Sequence, residues 1–74
     1  MEQTLRNIVA KIAEIPPDFD AQASFRDKLG VDSVRALEIV FEIEKTLGLV
    51  VPEDGYSKVK CFDNLLTLVQ SIKK

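Results

Sequence analysis

The sequence predicts an all-α fold, a small four-helix bundle with three main helices and one short one. Three observations carry this prediction. Apolar residues recur at helical spacing in three separate stretches, proline or glycine ends the first two of them, and the consecutive valines Val50 and Val51 are too few to build a sheet. The chain has 74 residues, 46% apolar and 30% charged, which is enough for one compact domain and too few for two. Residues 1–74 therefore read as a single domain. A domain of this size buries only about 60% of the surface its unfolded chain exposes, so the core is thin and any ligand cavity is shallow or adaptable.

The first helix rests on Leu5, Ile8, Val9, Ile12 and Ile15. Pro16 and Pro17 stop it, because proline supplies no amide donor and pushes its predecessor out of the α region. The following "PPDFDAQASFRDKLG" has no period and is rich in aspartate, serine and proline. It reads as a long loop in which Phe25 and Leu29 tuck back onto the core and Gly30 turns the chain.

The second helix runs from Asp32 to Leu47. At about 100° per residue, Ala36, Ile39, Val40, Ile43 and Leu47 cluster on one side, with Arg35, Glu38, Glu42, Lys45 and Thr46 opposite. Val34, Leu37 and Phe41 widen the apolar arc beyond what burial on one side requires. Glu44 sits inside that arc, where a fully buried carboxylate is expensive. The side bearing Val34, Leu37, Phe41 and Glu44 is thus a candidate partner surface; the alternative is a central helix touching neighbours on most sides. Gly48 closes the helix. "LVVPEDG" is then an extended link with turns at Pro52 and Gly55, and a short helical turn is expected around Tyr56 to Lys60. Phe62, Leu65, Leu66, Val69 and Ile72 trace the last helix, with Asp63 favourably near its start. The core is expected around Ile8, Ile12, Val40, Ile43, Leu65 and Val69.

Composition excludes several chemistries. There is no histidine, the usual base for a serine nucleophile, so catalysis by Ser33 is not expected. No cluster of metal-ligating residues and no glycine-rich phosphate loop appears. The single cysteine, Cys61, cannot form an internal disulfide and reads as a small buried apolar residue, with a reactive thiol as the other reading. No apolar run approaches the roughly 18 residues of a membrane span, and the acidic, alternating N-terminus is unlike a signal peptide. The cytoplasm is the expected compartment.

The formal charge is −2, unevenly placed. Seven acids face three bases between Asp27 and Asp54, whereas the tail from Lys58 to Lys74 holds four bases against Asp63. A basic partner is favoured at the acidic second helix, although any such helix needs a solvated charged face. Nucleic acid is not expected there, because phosphates would be repelled.

The residue that raises the functional question is Ser33, at the start of the second helix in "LGVDSVRALEIV". Either Asp32 or Ser33 caps free backbone amides, a role worth about 1 kcal/mol. Alternatively, the Ser33 hydroxyl carries a phosphate ester where the helix dipole and unpaired amides favour negative charge. Position alone leaves both open.

The segment "ASFRDKLGVDSVRALEIVFEIEKTLG" resembles the central segment of acyl carrier proteins, whose serine in an Asp-Ser-Leu motif receives 4′-phosphopantetheine. The likeness runs from about Thr4 to Ile72 and includes both flanking helices and Pro52. It implies that Ser33 bears the prosthetic arm, transferred from coenzyme A by a phosphopantetheinyl transferase, with Asp32 as the motif acid. The arm's thiol would hold an acyl group as a thioester for acyl-loading and acyl-processing enzymes of fatty acid, polyketide or related lipid synthesis. The chain would be a monomeric carrier, not an enzyme, since the reactions belong to its partners. Resemblance also assigns partner contacts to Val34, Arg35, Glu38, Phe41 and Glu44. It draws an acyl pocket from Phe25, Leu29, Val40, Ile43, Val51, Tyr56, Val59 and Leu65.

The sequence departs from the family pattern in places. Val34 replaces the motif leucine, Arg35 stands where an acid is common, and Lys28 and Lys45 dilute the acidic surface. Weaker long-range steering points to a specialised carrier, and Arg35→Glu is expected to strengthen binding to a general fatty acid synthase partner. An aminoacyl or peptidyl carrier of nonribosomal synthesis is the alternative within the class. A helical interaction module without a prosthetic group is the alternative outside it.

Overall fold

The computed structural model describes residues 1–73, and side chains through Ile72. Lys74 and the Lys73 side chain, counted above in the basic tail, lie outside the described residues. The chain forms helix α1 over Glu2–Ala13, α2 over Ser33–Leu47, α3 over Glu53–Tyr56 and α4 over Phe62–Lys73. Among the described residues there is no strand, only an isolated antiparallel bridge between Ser24 and Cys61. The all-α bundle of three long helices and one short one is thus the observed fold. Helix α1 packs against α2 and α4, and α3 against α4.

Besides the start of α2, where Asp32 is the cap and Ser33 the first helical residue, two boundaries differ from the sequence expectation. Helix α1 ends before Ile15, because Glu14 adopts a left-handed conformation (φ 59°, ψ 47°). The Ile15 amide then donates to the Ala10 carbonyl at 3.0 Å, the six-to-one bond of a Schellman turn. The short helix lies at Glu53–Tyr56 rather than Tyr56–Lys60. It starts on Pro52, with Glu53 and Asp54 in its first turn, where acids complement the helix dipole. Gly55 is therefore inside α3 rather than at a turn. A Cβ there would meet Leu68 Cδ1 at 2.8 Å, so the glycine lets α3 lie close against α4.

The expected core residues Ile8, Val40, Ile43, Leu65 and Val69 are buried, and Ile12 is half-buried against them. Phe62 and Leu5 are fully enclosed at the centre. The long loop is fastened as its apolar residues predict: Phe25 is buried and Leu29 half-buried, and the Phe25 amide donates to the Lys60 carbonyl at 2.9 Å. Cys61 is a buried free cysteine.

Arg6 also holds the loop. Its guanidinium lies 4.8 Å from the Phe19 ring centroid and 4.9 Å from that of Phe62. It also donates to the Pro17 and Phe19 carbonyls at 2.9 and 2.7 Å. A cation enclosed by aromatic faces and satisfied by carbonyls is held at little desolvation cost.

Candidate attachment site at the start of helix α2

Gly30 takes a positive φ of 68°, and the Val31 amide donates to the Phe25 carbonyl at 2.8 Å, aiming the chain into α2. Asp32 is extended (φ −84°, ψ −177°), and its Oδ1 accepts from the Arg35 amide at 2.9 Å. The acid is therefore the N-cap, and Ser33 is the first helical residue. The capping role that the sequence left open between the two falls to Asp32. Ser33 is exposed, and among the described residues no group hydrogen-bonds to its Oγ.

Ser33 borders a cleft of about 410 Å³. Five of the residues expected at an acyl pocket line it: Phe25, Val40, Tyr56, Val59 and Leu65. Leu29, Ile43 and Val51 do not line it; Ile43 and Val51 are buried in the core and Leu29 packs against it. Val31, Ala36 and Ile39 complete the apolar wall, and sequence reading missed them as lining residues. Ala36 was within reach, since it lies one helical turn from Ser33 on the way to Val40.

Two other serines border the same cleft, and both hydroxyls are engaged. Ser24 Oγ accepts from the Asp27 amide at 3.2 Å, and Ser57 Oγ donates to the Asp54 carbonyl at 3.0 Å. Of the three, the hydroxyl left free is the one at a helix start, where a phosphate ester gains from unpaired amides and the dipole.

On the outward side of α2, Val34, Leu37 and Phe41 are 65%, 47% and 62% exposed, and Glu38 is exposed beside them. Glu44 is half-buried, and its Oε2 accepts from the Val51 amide at 2.8 Å. That bond explains an acid inside the apolar arc: the carboxylate holds the link after α2. Arg35 does not extend freely into solvent as its angular position predicts. Its Nη1 donates to the Ile12 carbonyl, and its Nη2 pairs with Glu14 at 3.2 Å, so it closes the C-terminal end of α1. Arg35→Glu is accordingly expected to lower stability, since it sets an acid against Glu14 and the negative end of a helix dipole. Discounted for solvent screening at a half-exposed site, the cost is about 1–2 kcal/mol in urea unfolding. An unchanged midpoint would contradict this contact.

The helical bundle thus presents an exposed Ser33 hydroxyl at a helix start, beside a cleft with an apolar wall. Comparison with known proteins gives the family. The family model described as a phosphopantetheine attachment site matches residues 3–69. An acyl carrier protein of Rickettsia bellii is 35% identical over 99% of this chain and 91% of its own length. A second from another strain of that species is 33% identical over 99% and 86%. The meromycolate extension acyl carrier protein of Mycobacterium leprae is 27% identical over the whole of this chain and 71% of its own. The chain belongs to the acyl carrier protein family. Its prosthetic group is 4′-phosphopantetheine, whose thiol, when the arm is present, holds acyl groups as thioesters. The family is one of non-catalytic carriers that work with partner enzymes.

Proposed function

We propose that Ser33 is the attachment residue and that the chain, catalysing nothing itself, presents acyl groups to enzymes of fatty acid, polyketide or related lipid synthesis. The observation that carries this reading is the free Ser33 hydroxyl among three cleft serines, with Asp32 already serving as the cap. A phosphopantetheinyl transferase would supply the arm from coenzyme A. The Ser33 Oγ bonds to the phosphorus bearing pantetheine, the pyrophosphate bond breaks, adenosine 3′,5′-bisphosphate leaves, and the hydroxyl proton passes to a base of the transferase.

Acyl-loading and acyl-processing enzymes would meet the outward side of α2, where Val34, Leu37 and Phe41 are exposed beside Glu38. No helix among the described residues is long and apolar enough to cross a membrane, and we place the carrier, as a monomer of one domain over residues 1–74, in the cytoplasm. The cleft would shelter the acyl chain against Phe25, Val40 and Leu65 by opening slightly.

The test is to load the modified protein with an acyl group and follow it in two ways. Hydroxylamine is expected to remove the acyl mass while leaving the arm, as a thioester requires; an acyl mass that resists hydroxylamine would contradict carriage on the arm. Amide resonances of Phe25, Val40 and Leu65 are expected to shift on acylation, and unchanged resonances would reject sheltering.

A further inference from the structure

The cleft beside Ser33 has charged side chains on its rim as well as an apolar wall. Arg26 and Lys60 line it, together with Asp27 and Asp32. Acids and bases are equal in number there. Asp32 Oδ1 accepts from the Arg35 amide, and the Asp27 carboxylate, like the two cations, pairs with no side chain among the described residues. Arg26 and Lys60 are exposed, and among the described residues neither pairs with an acid; the two ion pairs found involve Arg6 and Arg35.

Backbone hydrogen bonds tie the segments that carry these two cations to the segment that leads into Ser33. Lys60 is fixed from both sides, its amide donating to Asn64 Oδ1 at 3.1 Å and its carbonyl accepting from Phe25 at 2.9 Å. The Ser24–Cys61 bridge extends that pairing, which sets paired residues of the two segments roughly 5 Å apart. The Phe25 carbonyl in turn accepts from Val31 at 2.8 Å, two residues before Ser33. Phe25 is therefore a hub: Arg26 follows it, Lys60 pairs with it, and the approach to Ser33 hangs from it.

We propose that Arg26 and Lys60 form a cationic clamp for the phosphodiester that joins the arm to Ser33, fixing where the arm leaves the protein. This rests on Ser33 as the attachment residue. The phosphodiester adds one negative charge a single bond beyond Ser33 Oγ. Arginine offers that charge a planar fork of donors, and lysine a compact ammonium on a flexible stem. Charge-assisted hydrogen bonds of this kind are about twice as strong as neutral ones. The clamp sets the root of the arm over the cleft mouth, so that the rest of the arm is directed along the groove or away from it, rather than swinging freely from the helix start.

Phosphorus NMR of the modified protein at low salt tests this without reference to any downstream activity. The same protein unfolded in urea supplies the resonance of the unclamped phosphodiester. Arg26→Gln and Lys60→Gln are each expected to move the folded resonance toward that reference, and the double variant to move it further. Lys58→Gln, an exposed lysine outside the cleft lining, is expected to leave it in place. Raising salt on the wild type, with no substitution at all, is expected to move the resonance in the same direction, since the screening length falls from about 8 Å at physiological ionic strength to about 3 Å at 1 M. A double variant whose resonance superimposes on the wild type, or a wild-type resonance that ignores salt, would overturn the clamp while leaving attachment intact. A folded wild type that gains no arm would overturn attachment at Ser33 and the clamp together.

Discussion

Ser33→Ala is expected to abolish attachment of phosphopantetheine completely while leaving the fold and its stability nearly unchanged. The structure separates the two effects. Ser33 is exposed and its hydroxyl is not hydrogen-bonded within the described residues, while capping of α2 is done by Asp32 Oδ1 on the Arg35 amide. Removing the hydroxyl therefore takes away the proposed point of attachment without freeing a buried partner, and alanine is the best helix former of all. Intact mass after treatment with coenzyme A and a broad-specificity transferase should show no gain, with urea unfolding within about 0.5 kcal/mol of wild type, as for a surface substitution. Asp32→Ala is the counterpart. It leaves the hydroxyl in place and is expected to cost about 1 kcal/mol by removing the cap. If Ser33→Ala unfolded the protein, the division of roles between the two residues would be wrong.

Phe62→Ala carries the largest expected loss of stability. Phe62 is fully buried at the start of α4, meets Phe19 edge to face at 5.4 Å, and forms one face of the Arg6 site. Truncating a buried phenylalanine costs about 3–5 kcal/mol, against a total of roughly 4–11 kcal/mol for a chain of this length at 0.05–0.15 kcal/mol per residue. The variant is expected to be marginally folded at room temperature, with a sharply lowered urea midpoint. Phe62→Leu, which refills most of the volume, should recover much of the loss. Arg6→Met tests the same site from the other side: it keeps the apolar stem but leaves the Pro17 and Phe19 carbonyls without their donor. Effects of Arg6→Met and Phe62→Leu that simply add would mean that cation and ring do not interact.

Periodicity made the three long helices legible, because each has enough turns for its apolar face to repeat. Helix α3 was misplaced for the opposite reason. Four residues hold no period, and the proline and glycine that read as turns are, respectively, its cap and a place of close approach to Leu68. Within the site, the serine and its neighbouring acid were legible, but which of them caps was not. Both lie at the helix start, and only the Asp32 to Arg35 geometry decides it.

Long cationic side chains were the least legible feature. Arg35 belongs to the polar stripe by angle, yet its guanidinium reaches back 23 residues to Ile12. Arg6 is marked by no pattern in the sequence, yet it is mostly enclosed between two rings. Such contacts depend on what the fold places at the end of a flexible stem, and no local pattern records that. Among the pocket residues, an apolar period marks Ile43 as buried without telling a packed core from the wall of a cleft, and Val51 lies in a link too short to show a period.

The measurement that bears most directly on the central claim is localisation of the arm by peptide fragmentation, after treating the wild-type protein with coenzyme A and a transferase. Ser24 and Ser57 border the same cleft, so the result discriminates among three hydroxyls within one neighbourhood. The whole added mass is expected on Ser33. Mass on Ser24 or Ser57, or no added mass on a folded protein while a known carrier is modified in parallel, would contradict it.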